Sequence, residues 1–382
     1  MLVPAFTVAE NLALNSLDRS PLLDVRATSR HACDIAEDLG WDIDPNAVTQ
    51  TLSVGAMQRV EIIKALSSDG KVLLLDEPTA TLAPNEVEDL FRVMRALRAQ
   101  GKAIVLITHK LDEALSIADR VTVLRRGKVV VTVPAVGISP GQLATWMVGE
   151  VPAPVKKSEI VVGSARAVIE DLTILGSRGE KRVDNVSFSI HSGEIVGFAG
   201  VAGNGQVELA EALAGITNRE NVPTAAYIPE DRQRDGLALP MSIAENLLIE
   251  GHRKLSILGV LLPAKVLAWC EKIVAKFGIK TDNLALPASS LSGGNQQKIV
   301  VGRVLDAEPE FIVAVNPTRG LDVQAETFVH SQLIAAKSRG AAIALFSTDL
   351  DEILNLADKT YAMSGGKLLQ GDNIAELMGG KE

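Results

Sequence analysis

Leu291–Gln297 reads LSGGNQQ, and the apolar run Phe311–Val315 follows it. An earlier stretch, LSVGAMQ at Leu52–Gln58, has its own apolar run, Val72–Leu75, ending in Asp76-Glu77-Pro78-Thr79. The two layouts agree: a Ser-Gly turn opens a helix, a short apolar strand follows, and a Pro-Thr turn closes it. At such a helix start the unpaired N–H groups and the helix dipole point the same way. Ser292, Gly293, Gly294, Asn295 and Gln296 in one stretch, and Ser53, Val54 and Gly55 in the other, are therefore candidate anion-binding turns.

Working outward, the two stretches belong to a longer repeat. Leu52 and Leu291, Pro78 and Pro317, and Leu111 and Leu350 are each 239 positions apart, and Gly127-Lys128 keeps that offset with Gly366-Lys367. Upstream, Thr7–Leu12 (TVAENL) pairs with Ser242–Leu247 (SIAENL) at an offset of 235. The chain is a tandem duplication, which decides the domain reading before any single element does.

A length of 382 residues accommodates the two domains that a duplication implies, and a hydrophobic fraction of 47% supports full globular cores. Aromatic residues make up only 3%, too few for base-stacking modules, and a net charge of −9 argues against general nucleic-acid binding. Cys33 and Cys270 show no ligand spacing and read as reduced structural residues of a cytosolic protein. Met1-Leu2-Val3-Pro4 has no basic n-region and soon turns polar, so it does not read as a signal peptide. The most apolar stretch, Leu255–Trp269, is interrupted by Pro263 and Lys265 and is shorter than the roughly 20 residues of a membrane span. It reads as an amphipathic helix continuing to Phe277, with a surface that covers a partner as the alternative.

Along the first copy, Thr7 and Glu10 form a capping-box pattern for a helix over Phe6–Leu14. Apolar spacing predicts a second helix over Arg26–Leu39, with a turn at Asp44-Pro45-Asn46. Ser53 starts the next helix, through Leu66. Lys71–Leu75 and Ala103–Ile107 read as strands buried on both faces, as parallel strands are. Helices are expected over Glu86–Gln100 and Asp112–Ala118, and a hairpin over Val121–Leu124 and Lys128–Val133. Val151–Ser164, with two prolines and a lysine pair, reads as a linker. The second copy opens with the strand-rich Ala165–Ile190. The alternation of strands and helices predicts an α/β fold in two tandem domains, each a mainly parallel sheet flanked by helices with a helical subdomain. The domains are expected at 1–150 and 165–382, joined by 151–164.

The chemistry differs between copies. Gly200-Val201-Ala202-Gly203-Asn204-Gly205-Gln206-Val207 has the frame of a phosphate-binding loop, with Gly200, Gly203, Asn204 and Gly205 shaping the turn. The lysine that would reach the terminal phosphates is Gln206, and the hydroxyl residue that would hold Mg²⁺ is Val207. The loop therefore suits nucleotide binding better than hydrolysis, while the bland alternative is a Gly-rich turn without a ligand. In the first copy, carboxylates after an apolar strand need a cation or a proton to handle. Asp76 is the candidate Mg²⁺ ligand and Glu77 the candidate general base for an attacking water. The second copy has Val315 and Asn316 there. His109 would sense the terminal phosphate, and its counterpart is Thr348.

LSGGNQQ, LSVGAMQ, LLLDEPT and ITHKLDEA together resemble the ATP-binding subunits of ABC transporters, in particular the fused double-domain ATPases of simple-sugar and nucleoside importers. Tyr227–Arg232 (YIPEDR) and Asn316–Asp322 (NPTRGLD) resemble the second domain of that family, whose phosphate loop and acidic strand end are similarly degenerate. MLVPAFTVAEN, RVEIIKAL and RVTVLRRGKVV look closer to the nucleoside branch. The resemblance covers essentially the whole chain. It implies ATP and Mg²⁺ as cofactors, with Glu77 and His109 catalytic and Asp76 on the metal. It implies one competent site completed by Ser292, Gly293, Gly294, Asn295 and Gln296, and one degenerate site pairing Gly200–Val207 with Ser53, Val54 and Gly55. The implied partners are two transmembrane permease subunits and an extracytoplasmic solute-binding protein, with self-association compatible and no nucleic acid. The implied location is peripheral, on the cytoplasmic face of the cell membrane.

Three departures from that pattern stand out. At the offset of 235, the first copy's phosphate loop maps upstream of Met1, so the first domain is expected to be incomplete at its start. Ala83 stands where the second copy has Asp322, and no Phe, Tyr or Trp occurs in Val168–Val186, where an adenine-stacking ring is expected. The leading expectation is an import ATPase subunit. The competing one is a non-catalytic remnant that serves only as an interaction or regulatory subunit.

Overall fold

The computed structural model describes residues 2–14, 25–52, 54–67, 70–79, 82, 84–108, 110–125, 127–148, 163–176, 179–200, 203–216, 225–257 and 260–370. They fall into two compact units, one built from Met1–Val151 with Val201–Gly203 and the other from Pro152–Gly200 with Asn204–Glu382.

In the first unit α1 (Val8–Ala13) opens on the expected capping box: Thr7 Oγ1 accepts from the Glu10 N–H at 3.2 Å, and Glu10 Oε2 from the Thr7 N–H at 2.8 Å. Then come α2 (Val25–Asp38), α3 (Val54–Leu66), β1 (Val72–Asp76), α4 (Pro84–Ala99), β2 (Ala103–Ile107), α5 (Leu111–Ile117), the hairpin β3 (Arg120–Arg125) and β4 (Lys128–Pro134), and α6 (Pro140–Val148). Val8, Leu39, Ile63, Leu73, Leu75 and Leu90 meet in one core. β1 and β2 are parallel, from Val72 opposite Ala103 to Asp76 opposite Ile107. The expectation of burial on both faces fails here. Leu73 and Leu75 are buried, but Val72 and Leu74 are 58% and 69% exposed. One face of the pair packs on α3 and α4. Among the described residues, no further strand joins this two-stranded sheet.

The second unit has β5 (Ala165–Leu175), β6 (Lys181–His191), β7 (Ile195–Ala199), α7 (Gln206–Leu213), β8 (Ala226–Ile228), α8 (Ile243–Leu255), β9 (Ser256–Ile257), β10 (Val260–Leu261), α9 (Pro263–Phe277), α10 (Gly293–Asp306), β11 (Phe311–Val315), α11 (Val323–Ser338), β12 (Ala342–Ser347), α12 (Leu350–Leu356), β13 (Lys359–Ser364) and β14 (Lys367–Leu369). A six-stranded sheet runs β14-β13-β7-β12-β11-β8, parallel except for β14. Its central strands β7, β11 and β12 are apolar and buried along their whole length, as helix-covered parallel strands must be. Rings stack through the core, with Phe198 and Phe346 centroids 4.6 Å apart.

The β11–β12 register, Phe311 opposite Ala342 through Val315 opposite Phe346, repeats that of β1–β2 at the 239-residue offset, pair for pair. The duplication is thus visible in backbone hydrogen bonding. A second difference from the expectations lies at Leu255–Phe277, which is not one helix. α8 ends at Leu255, a short antiparallel hairpin follows, and Pro263 opens α9 at its first turn. An unbroken apolar run does not show by periodicity alone where one element stops.

Candidate functional site

Parallel strands deliver their following loops to one edge of a sheet, where open α/β folds bind ligands. In the second unit Ser347 lies opposite Ala199, and Val315 opposite Phe346. Gly200, Asn316 and Thr348 therefore emerge together at the carboxyl edge.

Gly200–Val207 occupies the turn between β7 and α7. Gly203 and Gly205 have φ of 97° and 99°, and a Cβ at Gly205 would collide with the Arg182 carbonyl. Asn204 Oδ1 accepts from the Gly365 N–H at 3.0 Å. The Gln206 side chain is buried and folds across Gly200, where a Cβ would meet its amide nitrogen. The loop keeps the shape of a phosphate cradle, but its two chemical positions are an amide and the partly exposed Val207. Val201 and Ala202 lie outside the described residues.

At the end of β11, Asn316 adopts a left-handed backbone, φ 42°, and its N–H donates to the Phe346 carbonyl at 2.8 Å. Its Oδ1 accepts from the Thr348 N–H at 2.8 Å, and its Nδ2 donates to Glu230 Oε1 at 3.2 Å. Glu230 also pairs with the Arg319 guanidinium. Where the resemblance places a base and a phosphate sensor, this copy has hydrogen-bonded structure. Nearby, burial and then the charges of Glu211, Asp235 and Glu230 push Tyr227 up to about 12, so its phenol stays neutral.

In the first unit Asp76 ends β1 exposed, and Glu77 is left-handed, φ 44°. The Glu77 N–H donates to the Ile107 carbonyl at 2.9 Å. The Gln58 amide donates to the Glu77 and Pro78 carbonyls at 3.1 and 2.7 Å. A cleft of about 630 Å³ opens beside these carboxylates, with Leu2, Met57, Glu61 and Leu74 among its walls. Among the described residues no three His, Cys, Asp or Glu side chains gather as a metal cage. Ser53 and His109 lie outside the described residues, and so does the side chain of Val54, which with Gly55 starts α3.

Ser292 precedes α10 and makes no side-chain cap, so its hydroxyl does not occupy the helix's first N–H groups; it accepts instead from Asn295 Nδ2 at 3.0 Å. Asn295 Oδ1 accepts from the Lys280 N–H at 2.9 Å. Gln296 is buried, with its amide on the Ala288 carbonyl at 3.2 Å. These residues sit on a helix packed against α8, α9 and α11, on a separate element from the β7–α7 turn.

Two paired contacts escaped the sequence reading. Gln297 Nε2 donates to the Pro317 carbonyl at 2.6 Å, repeating Gln58 and Pro78. Thr318 Oγ1 donates to Glu352 at 2.8 Å, repeating Thr79 and Glu113 at 2.6 Å. Applying the 239-residue offset to every identical polar residue would have found both.

Residues 1–80 and 183–319 match the ABC transporter family. The chain is 38% identical to the nucleoside import ATP-binding protein NupA of Lactococcus lactis subsp. cremoris, over 96% of this chain and 77% of that one. It is 37% identical to the guanosine import ATP-binding protein NupO of Bacillus subtilis, over 98% and 78%, and 33% identical to the ribose import ATP-binding protein RbsA of Geobacillus kaustophilus, over 97% and 80%. Among solved structures, the archaeal ribosome recycling factor aABCE1 superposes with a TM-score of 0.67 at 18% identity, covering 96% of this chain and 70% of that one; at that identity the likeness is one of fold.

Proposed function

The chain belongs to the ABC transporter family, among its import ATP-binding proteins, and from that premise we propose that it binds and hydrolyses ATP to power uptake of a nucleoside through a membrane transporter. One observation carries the reading. The two copies share strand register and the left-handed turn, yet the first ends its strand in Asp76-Glu77 and the second in Val315-Asn316. One copy keeps an acid pair at the position where water would be activated, and the other has a hydrogen-bonded amide. Identities of 38% and 37% to nucleoside and guanosine import proteins, against 33% and 36% to two ribose import proteins, favour a nucleoside.

The domain boundaries proposed are 1–150 and 165–382, with 151–164 as linker. Asp76 would hold Mg²⁺ through water and beside nucleotide phosphates, a donor set of one exposed carboxylate that suits this ion. When bound, Mg²⁺ neutralises charge developing on the phosphates. Glu77 takes the proton of the attacking water, with its backbone fixed by Ile107 and Gln58. His109 reads the terminal phosphate. Ser292–Gln296, at the start of α10, bind nucleotide. Gly200–Val207 retains nucleotide without turning it over. Two permease subunits and an extracytoplasmic binding protein complete the assembly on the cytoplasmic face of the membrane. Among the described residues no helix is long and apolar enough to cross a membrane.

Glu77→Gln is expected to lower ATP turnover by about 100-fold or more, the scale of general-base catalysis. Asn316→Glu should not raise turnover, because Glu230 already occupies the space beside that amide and would repel a second carboxylate. Equal turnover by Glu77→Gln and the parent would sink the assignment of the base. A strain lacking the chain should lose uptake of labelled guanosine and keep uptake of labelled ribose; the reverse would assign a sugar.

A further inference from the structure

The loop after β8 takes no part in the chemistry above, yet it is fastened to α10 at three places. Asp231 caps the short turn Arg232–Gly236, its carboxylate accepting from the Gln233 and Arg234 N–H groups at 2.9 and 3.1 Å. That cap sets Arg232 and Gln233 side by side. Gln233 Nε2 donates to Gln296 Oε1 at 3.0 Å. Arg232 Nη1 donates to the Arg319 carbonyl at 2.8 Å, and its Nη2 lies 2.7 Å from where Gly293 would carry a Cβ. The guanidinium thus lies against bare backbone at the start of α10, and a Cβ at position 293 would push it away. Further along, buried Arg303 of α10 donates to the Gly236 carbonyl at 2.5 Å. Arg319 is itself held, because its guanidinium pairs with Glu230, and Glu230 accepts from Asn316.

We infer that Arg232 is a positioning residue for ATP hydrolysis: it sets the first turn of α10, and with it Ser292–Asn295, against the turn that follows β11. This rests on the reading that Ser292–Asn295 bind nucleotide. The role needs a planar fork, because one arm must reach the Arg319 carbonyl while the other covers Gly293. Among the described residues Arg232 Nε is buried without a partner, a cost that a residue serving only as a surface charge would not carry. The chain of contacts also gives Asn316 a use. It braces the Glu230–Arg319 pair on which the Arg232 bond depends.

Hydrogen exchange on the full chain tests this. The Gln296 N–H bonds back to the Ser292 carbonyl at 2.9 Å and reports the first turn. Arg232→Gln should speed exchange at Gln296 and Gln297 about ten-fold, with β11 and β12 unchanged. Arg232→Lys should not restore protection, since an ammonium offers no fork, whereas a space-filling or simple charge role would be rescued by it. In the parent, Mg-ATP should slow exchange over Ser292–Gln297, and Arg232→Gln should raise the half-saturating concentration about ten-fold. Unchanged exchange at Gln296 in Arg232→Gln, rescue by lysine, or faster exchange spread evenly through the lobe would each overturn the positioning role. No effect of Mg-ATP on the parent would defeat the nucleotide reading alone, and the first comparison would still decide on Arg232.

Discussion

At the scale of single residues, Asn316 carries more than its chemistry suggests. It holds a left-handed backbone, receives the Thr348 N–H and donates to Glu230. Alanine there would keep the strain and leave the half-buried Thr348 N–H without its acceptor, while Glu230 keeps Arg319. Asn316→Ala is expected to cost about 1–2 kcal/mol in urea unfolding. His330 is a second such residue. It sits where the first copy has Phe91 and bonds to buried Glu352 at 3.0 Å. Burial pulls its pKa down, but the Glu352 hydrogen bond and charge, with Glu326 and Asp349, outweigh that and hold it above the usual value. Its folded pKa therefore lies above its unfolded one, so the stabilisation is complete below about pH 6.5 and is lost as pH rises through the folded value. Melting temperature should fall over that window in the parent and less so in His330→Phe. Parallel melting curves for the two would remove His330 as the cause.

Between elements, one ion pair occurs in two settings. Lys337 of α11 meets Asp358, just before β13, at 2.5 Å, both side chains 3% exposed; at the 239-residue offset Arg98 meets Asp119 at 2.6 Å, 58% and 63% exposed. Asp358 also accepts from the Ile195 N–H at the start of β7. Removing one partner of a buried pair strands the other charge, so Asp358→Ala should cost about 3–5 kcal/mol. Asp119→Ala should cost under about 1 kcal/mol. Chemical denaturation of both variants checks the contrast. The same comparison shows what could be read from the sequence. β1, β2 and β11 were legible because apolar runs end abruptly at Asp76, Thr108 and Asn316. The capping box at Thr7 was legible because Glu10 sits three residues away, and the structure repeats it at Ser242. The hairpin between α8 and α9 was not, since a uniform apolar run carries no period. Nor was the Glu230–Arg319 pair, 89 residues apart and without a counterpart in the described first copy. For the candidate site, the residue types at the strand ends were readable, whereas the grip of Arg232 on Gly293 depends on a backbone approach that no spacing encodes.

On the scale of the whole molecule, the two copies bury the same positions differently. Val105 and Ile107 are 47% and 55% exposed, while Ala344 and Phe346, their equivalents, are 0% and 1% exposed. A contiguous apolar strand face in water binds hydrophobic dyes. The full chain should enhance anilinonaphthalene sulfonate fluorescence, and Leu74→Thr with Ile107→Thr should lower it without lowering the melting temperature; unchanged dye binding would place the sticky surface elsewhere. The shared turn at Glu77 and Asn316 has a wider consequence. A torsion that persists after an acid has become an amide was not kept for the acid. The bend is a fossil of the ancestral strand end, and only the side chain standing on it dates the activity. In a duplicated protein, strained backbone records descent, and a search for living catalysis should begin where the copies still share the bend but no longer share the side chain.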